Sequence, residues 1–180
     1  WETEDGEFVI SHDESLLRMC GIDKKVTDMT LAEATSYTMI TGNGREEYPM
    51  EQIVSLRQYL ECIRNNRNLH AVIELKMSAL SEESAKKLLS LLEEYSVSSR
   101  TTIISFAKAS LEAVKEIDNN EVLQFQLVSN TSDEETLNWC IQNKMGLTCK
   151  YTNLTQAAIQ TLQKNKLEVG VWTCLLYTSD

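Results

Sequence analysis

The chain has 180 residues, of which 42% are hydrophobic and 24% are charged, a composition typical of a globular protein with one sizeable core. Its formal net charge of −10 argues against a nucleic-acid partner, because binding a phosphate backbone requires a basic face. The sequence has no run of about 18 apolar residues, so it predicts no transmembrane helix.

The first part of the chain predicts short elements joined by loops. An Asp-Gly turn at residues 5–6 precedes an apolar, β-rich run that ends at His12-Asp13, which predicts a short strand. Residues 30–33, Thr-Leu-Ala-Glu, are typical of a capping box at the start of a short helix. A loop is expected around residues 42–44, and it ends at Tyr48-Pro49.

From residue 51 onward the pattern alternates between helix and strand. Helices are predicted at residues 51–64, from Ser81, at 111–117, from a second capping box at residues 132–135, and from Thr155. Strands are predicted at residues 71–75, 101–106, 122–128, 146–150 and 167–173. This alternation predicts parallel βαβ units, and right-handed crossovers then build either a barrel or a doubly wound sheet. The pattern does not choose between them, and no G-x-G-x-x-G follows a strand to indicate a dinucleotide site.

Polar residues stand where three of the predicted strands end. They are His12-Asp13, Glu74-Leu75-Lys76 and Trp172-Thr173. In both α/β architectures, functional side chains project from the carboxyl ends of parallel strands. Glu74 and Lys76 are two residues apart, so a strand would point both side chains to the same face.

This combination of side chains is suited to a phosphate-bearing substrate. The Glu74 carboxylate would hold a hard cation such as Mg²⁺ or Ca²⁺, and Lys76 would help that cation to stabilise a phosphoryl oxygen. His12 would transfer a proton, since imidazole titrates near neutral pH. The alternative is that Glu74 and Lys76 form a solvated salt bridge and that His12 belongs to an ordinary loop.

Seven segments carry a further signal. In chain order they are W-E-T-E-D-G-E-F-V-I-S-H-D at 1–13, L-L-R at 16–18, V-T-D-M-T-L-A-E at 26–33, Y-P-M-E at 48–51, I-E-L-K at 73–76, I-I-S-F at 103–106 and V-W-T at 171–173. Together and in this order they resemble the motifs of the glycerophosphodiester phosphodiesterase family. The resemblance implies an α/β fold, a partial (β/α)8 TIM barrel of the phosphatidylinositol-phosphodiesterase-like type, over residues 1–173.

The resemblance also implies an activity and roles for individual residues. The activity is metal-dependent hydrolysis of a small glycerophosphodiester to glycerol 3-phosphate and an alcohol, with Mg²⁺ or Ca²⁺ as the cofactor. His12 resembles the second of two family catalytic histidines, Glu74 a metal-ligand glutamate, and Lys76 the phosphate-contacting lysine. Trp172 resembles the aromatic wall of the substrate pocket.

Phe106 is a second candidate for contact with the substrate. It closes the I-I-S-F segment that resembles the family's S-F strand. Plain packing of the barrel is the alternative for both Phe106 and Trp172. His70 has no counterpart in the family and is expected to be a structural or exposed residue before its strand.

Parts of the family pattern are not found in this sequence. The family's H-R-G strand supplies the other histidine and an arginine, and its E-x-D strand supplies further metal ligands; both precede the segment that resembles residues 1–13. Residues 174–180 do not resemble the family, and we expect them to be a non-native tail. We therefore expect this chain to be inactive by itself. A lysophospholipase D-like enzyme and a catalytically dead binding or scaffold module are the alternatives.

The cysteines and the first residues bear on the compartment. The five cysteines include no C-x-x-C pair, which predicts reduced, packing thiols. The acidic start at residues 1–5 lacks the apolar region of a signal peptide. We therefore expect a cytoplasmic protein.

Overall fold

The computed structural model describes residues 1–118 and 122–173. The expected tail at residues 174–180 lies outside the described residues. The chain divides into two compact units. The first consists of Trp1–Leu69 and Ser90–Val97, and the second of His70–Leu89 and Ser98–Asp180.

The first unit contains short strands and helices. They are β1 (Val9–Ile10), α1 (Leu17–Cys20), a 3-10 turn (Val26–Asp28), α2 (Leu31–Ala34), β2 (Val54–Ser55) and α3 (Leu56–Asn65). Thr30 caps α2 as predicted, because its side chain accepts a hydrogen bond from the Glu33 N–H. The core of this unit is built by buried Val9, Leu16, Val26 and Met29.

Strand β2 corrects the helix predicted at residues 51–64. Val54 and Ser55 pair antiparallel with β1, and the helix begins only at Leu56. The physical reason is a capping box at Ser55, whose side chain accepts from the Gln58 N–H while the Gln58 side chain accepts from the Ser55 N–H. Because the helix starts only after this cap, Val54 and Ser55 are free to pair with β1.

The second unit contains a parallel sheet of five strands, in the order in which the strands occur along the chain. The strands are β3 (Ala71–Glu74), β4 (Thr101–Ser105), β5 (Gln124–Ser129), β6 (Gly146–Lys150) and β7 (Val169–Trp172). The helices that follow β3 to β6 along the chain are α4 (Glu82–Glu94), whose residues 90–94 belong to the first unit, α5 (Lys108–Ile117), α6 (Glu134–Asn143) and α7 (Gln156–Lys164). All five predicted strands are thus confirmed to within about two residues, the margin usual for element boundaries.

The cap of α6 differs from the prediction by one residue. The N-cap is Asp133, whose carboxylate accepts a 2.8 Å hydrogen bond from the Thr136 N–H, and not Ser132. Ser132 instead donates its hydroxyl to the Asn153 carbonyl, at 2.7 Å. Asp and Ser are about equally good N-caps, so sequence alone does not choose between these adjacent residues.

The two faces of the sheet differ in character. Ile103, Leu127 and Leu147 are buried on the face that the connecting helices contact. Side chains at alternating positions, such as Val72 and Gln126, belong to the other face, because strand side chains alternate. This second face carries the candidate site residues Glu74 and Trp172.

The connections from α6 and α7 to the next strand are tight. Lys144 and Lys166 adopt left-handed backbone conformations, with φ of 52° and 58°. The N–H of the following residue donates back into the helix, from Met145 to the Cys140 carbonyl and from Leu167 to the Leu162 carbonyl, both at 3.0 Å. These bonds form the Schellman arrangement, which ends each helix and sends the chain directly into β6 or β7.

No helix in the described part of the chain is long and apolar enough to cross a membrane.

Candidate active site

Glu74 and Lys76 form an ion pair where β3 ends. The Lys76 Nζ lies 2.9 Å from the Glu74 Oε2, and the side chains are 19% and 26% exposed, respectively. The strand path continues one residue beyond β3, because the Leu75 N–H donates to the Ile104 carbonyl at 2.8 Å. Leu75 is buried on the opposite face. Continued alternation therefore brings Glu74 and Lys76 to one face, as predicted.

Phe106 and Trp172 meet over the same face. Their ring centroids are 5.6 Å apart and their planes are inclined by 77°, an edge-to-face arrangement. Phe106 follows β4 and Trp172 ends β7, and two strands lie between β4 and β7. Flat parallel strands would separate these positions by about 14 Å, so the sheet must curl to bring the rings together.

A cavity of about 310 Å³ lies beside the ion pair. Its lining includes Glu74, Lys76, Ser105 and Phe106. The buried Ser105 hydroxyl donates to the Leu75 carbonyl at 2.7 Å and accepts from the Ala107 N–H at 3.0 Å, which ties the ends of β3 and β4 together. Sequence reasoning had not identified Ser105, because an S-F dipeptide alone does not reveal this cross-strand bond.

A larger cavity of about 430 Å³ lies at the opposite end of the sheet, where Gln124, Gly146 and Glu168 are among its lining residues. These residues stand at or before the start of β5, β6 and β7. The catalytic side chains of parallel α/β enzymes project from the other, carboxyl end. The smaller cavity is therefore the better candidate site.

His12 belongs to the first unit, where its neighbour Asp13 contacts both His12 and Arg18. The His12 side chain is 76% exposed, and its Nδ1 lies 2.8 Å from the Asp13 Oδ1. The Arg18 Nε donates to the Asp13 Oδ2 at 2.6 Å. Hydrogen bonds from Arg18 and, to a lesser extent, from His12 lower the pKa of Asp13 to about 2. A carboxylate at Nδ1 favours the tautomer in which Nε2 is the proton acceptor.

The arrangement around Asp13 predicts a pH effect. Removing the guanidinium in Arg18→Ala should raise the pKa of Asp13 towards its ordinary value of 3.8, because the largest stabilising contact of the carboxylate is lost. The native pKa is depressed, so the contribution of Asp13 to stability is present above about pH 4 and is lost as the pH falls towards 2. Carbon-13 NMR titration of the Asp13 carboxyl measures this pKa. In a control variant, Lys25→Ala, which removes the partner of Glu14, the pKa of Asp13 should not move. Equal pKa values in the parent and Arg18→Ala would refute the assignment.

His70 lies at the other end of β3. Its Nε2 is 2.8 Å from the Thr102 Oγ1, and it immediately precedes the strand. It stands four positions before Glu74, a distance of about 13 Å along an extended strand. His70 therefore takes part in hydrogen bonding at the amino end of the sheet and does not reach the ion pair.

The described residues do not by themselves provide a complete metal site. Within residues 1–118 and 122–173, no group of three or more histidine, cysteine, aspartate or glutamate side chains is placed to hold a metal ion. Mg²⁺ and Ca²⁺ usually take about six or more oxygen ligands, whereas Glu74 is a single carboxylate already paired with Lys76. The expected convergence of His12 with Glu74 stays a prediction, since the two residues belong to different units.

The chain is similar to known phosphodiesterases over almost its whole length. Residues 2–180 match the model of the glycerophosphoryl diester phosphodiesterase family. A protein of Caldanaerobacter subterraneus subsp. tengcongensis described as a glycerophosphodiester phosphodiesterase is 27% identical over 173 residues, which are 95% of this chain and 70% of that protein.

Solved structures share the fold at lower identity. A phosphodiesterase from Oleispira antarctica, in complex with the product sn-glycerol-3-phosphate, superposes with a TM-score of 0.82 at 20% identity, covering 96% of this chain and 70% of that one. A glycerophosphodiester phosphodiesterase from Parabacteroides distasonis gives a TM-score of 0.73 at 19% identity, covering 97% of this chain and 68% of that one. These likenesses confirm the expected α/β class, in which the five-stranded sheet is part of a TIM barrel.

Proposed function

This chain belongs to the glycerophosphoryl diester phosphodiesterase family, and from that premise we propose that the protein hydrolyses small glycerophosphodiesters to glycerol 3-phosphate and an alcohol. The observation that carries the proposal is the Glu74–Lys76 pair, 2.9 Å apart at the carboxyl end of β3, beside a cavity that Phe106 also lines. A carboxylate, an ammonium group and an aromatic wall at the carboxyl end of one sheet match the needs of a phosphodiester with an organic substituent.

Lys76 and His12 have different roles in the proposed reaction. The Lys76 ammonium binds a non-bridging phosphoryl oxygen and stabilises the negative charge that grows there in the transition state. Glu74 keeps that ammonium in position. His12 transfers a proton at Nε2, with Asp13 holding the imidazole through Nδ1. Trp172 and Phe106 contact the substituent of the phosphate.

We further propose that Glu74 is one ligand of a divalent cation, Mg²⁺ or Ca²⁺. Such a cation would neutralise phosphate charge when it is bound. The Glu74 carboxylate supplies too few oxygen ligands for such a cation. The remaining ligands would come from further carboxylates, such as those of an E-x-D segment. No proton transfer assigned above depends on the cation.

The residues of this chain cover only part of the proposed chemistry. Proton transfer to the leaving oxygen and from the nucleophile requires two groups, and the sequence has two histidines, of which His70 stands at the wrong end of β3. We therefore propose that the chain by itself has little or no activity. We call this chain extended at its amino end by H-R-G and E-x-D segments the longer form; these segments would supply a second histidine and further carboxylates.

The test is an assay of glycerophosphocholine hydrolysis. The release of glycerol 3-phosphate is measured in the presence of Mg²⁺, of Ca²⁺ and of a chelator. We expect activity in the longer form, loss of it with the chelator, and none in the chain by itself. His12→Ala in the longer form should lower kcat/KM by about 10²-fold or more, the usual size of a proton-transfer contribution.

His70→Ala is the matched control, because it removes the other histidine of the chain from a position remote from Glu74. This substitution should keep kcat/KM within a few fold of the value for the unsubstituted longer form, although loss of the hydrogen bond to Thr102 should lower stability. Full activity of His12→Ala would remove His12 from the mechanism. A folded longer form that is inactive on every glycerophosphodiester would favour the binding or scaffold module.

One observation favours a lysophospholipase D-like activity as the second candidate. Phe106 is 48% exposed although it packs edge-to-face on Trp172, so it presents an apolar surface that an acyl chain would cover. Comparing kcat/KM for lysophosphatidylcholine and glycerophosphocholine separates the two activities. If an acyl chain packs on this ring, Phe106→Ala should lower kcat/KM for lysophosphatidylcholine more than kcat/KM for glycerophosphocholine.

A further inference from the structure

Two loops at the carboxyl end of the sheet are tied together by side-chain hydrogen bonds. Residues 130–133 connect β5 to α6, and residues 151–155 connect β6 to α7. The Asn153 Nδ2 donates to the Asn130 carbonyl at 2.7 Å, and the Ser132 hydroxyl donates to the Asn153 carbonyl at 2.7 Å. Asn153 thus both gives and receives a bond across the two loops, a pairing that we call the loop clasp.

The loop clasp is adjacent to the anchor of Trp172. The Trp172 Nε1 donates to the Ser129 carbonyl at 3.2 Å. Ser129 and Asn130 are consecutive, so their carbonyls accept from Trp172 and from Asn153, respectively. The backbone that orients the indole is held by the β5–β6 ladder, in which Ser129 pairs with Cys149, and one residue later by the side chain of Asn153.

The position of the indole decides the shape of the aromatic wall. The centroid of Trp172 lies 5.6 Å from that of Phe106, and β5 and β6 lie between the strands that carry the two residues. The indole must therefore lean across the sheet towards β5, where Ser129 ends the strand. A single N–H···O bond to Ser129 keeps it in that direction.

We infer that Asn153 is a positioning residue for the aromatic wall formed by Trp172 and Phe106. It holds the Ser129-Asn130 dipeptide so that the Ser129 carbonyl receives the indole N–H, and the indole edge then meets Phe106. The role of this wall in substrate binding rests on the proposed function, whereas the coupling between Asn153 and Trp172 is a property of the folded chain.

The indole N–H of Trp172 reports this coupling directly. The sequence has three tryptophans, so a ¹H–¹⁵N spectrum has three indole signals to assign, and Trp172→Phe identifies the one of interest. Asn153→Ala should shift the Trp172 signal and speed its hydrogen exchange about three- to tenfold, the change that corresponds to weakening one net hydrogen bond. The Trp139 signal is the internal reference and should not move, because the contact of its ring is with Lys108 of α5, whose Nζ lies 5.4 Å from the ring centroid.

Asn165→Ala is the matched control at the other end of α7. The Asn165 Nδ2 also donates to a backbone carbonyl, that of Thr161, at 2.8 Å. This variant therefore loses the same kind of bond without touching the loop clasp, and its Trp172 signal should stay in place. Asn153→Asp is the second variant: it keeps the side-chain shape but lacks the donor, and it should reproduce the effect of alanine if Asn153→Ala fails to fold.

Two results would overturn the inference. One is an unchanged Trp172 indole in both Asn153 variants, and the other is an equal change in Asn165→Ala. In the longer form, Asn153→Ala should raise KM about three- to tenfold while kcat changes less than twofold, since the wall contacts the substituent and not the reacting phosphorus. If the longer form is inactive, the indole measurement still decides whether Asn153 positions Trp172, so the failures of the two proposals are distinguishable.

Discussion

Replacing Glu74 with glutamine in the longer form should lower kcat/KM for glycerophosphocholine by about 10²-fold or more. The carboxylate is the partner of Lys76 at 2.9 Å and the proposed ligand of a divalent cation. Glutamine keeps the shape but loses the charge, so the ammonium is no longer fixed and the cation is held less firmly. Preorganised charge of this kind is usually worth about 10²–10³-fold in rate for one lost interaction. Steady-state kinetics at saturating Mg²⁺ or Ca²⁺ measure the effect.

Glu82→Gln is the matched control for this substitution. Glu82 also pairs with a lysine, Lys86, but on the exposed face of α4, with 73% of its side chain accessible. Loss of this pair should leave kcat/KM within about twofold, since exposed ion pairs contribute little. Lys76→Gln alone should also lower kcat/KM severely. The double variant should lose less transition-state stabilisation than the sum of the two single losses, because the residues act as a pair. An active Glu74→Gln enzyme would exclude Glu74 from the site.

Replacing Gly146 with alanine should destabilise the chain by about 2–3 kcal/mol, the upper part of the range typical of overpacking in a tightly packed site. A Cβ at this position would lie 2.7 Å from the Glu168 backbone oxygen and 3.0 Å from the Gln126 Cγ. The Glu168 carbonyl cannot retreat freely, because it accepts the Leu147 N–H at 3.0 Å in the β6–β7 ladder. The melting temperature should fall by roughly 4–12 °C, as measured by circular dichroism or calorimetry.

Gly170→Ala provides the graded comparison. A Cβ there would meet the Thr148 Oγ1 at 2.6 Å and the Gln126 Oε1 at 3.2 Å, which are side-chain atoms. These atoms can rotate away at the expense of the Thr148–Gln126 hydrogen bond, so the loss should be nearer about 1 kcal/mol. If Gly146→Ala has the same melting temperature as the parent, β7 moves away from β6 at little cost in free energy. The position of Trp172 on β7 would then be less firmly held.

The elements that local pattern decides were predictable from the sequence. Apolar β-rich runs between helix caps predicted β3 to β7, and strand alternation predicted that Glu74 and Lys76 share a face, as the 2.9 Å ion pair confirms. These features depend on neighbours two to four residues away. The choice of a barrel over a doubly wound sheet was not available from the pattern, because both use the same alternation; it came from the resemblance of the motifs and was confirmed by the similar structures.

Tertiary structure alone decided the features that join distant segments. The local sequence predicted that Val54 and Ser55 are helical. In the structure they pair with β1, which lies more than 40 residues earlier in the chain. Phe106 and Trp172 meet only because the sheet curls, and strand curl is a property of five paired strands and not of any one of them. The bonds from Ser105 to Leu75, and from Asn153 to Asn130, likewise cross between elements. Short-range periodicity carries no information about such contacts, because they are set by sheet register and crossover geometry after the elements have formed.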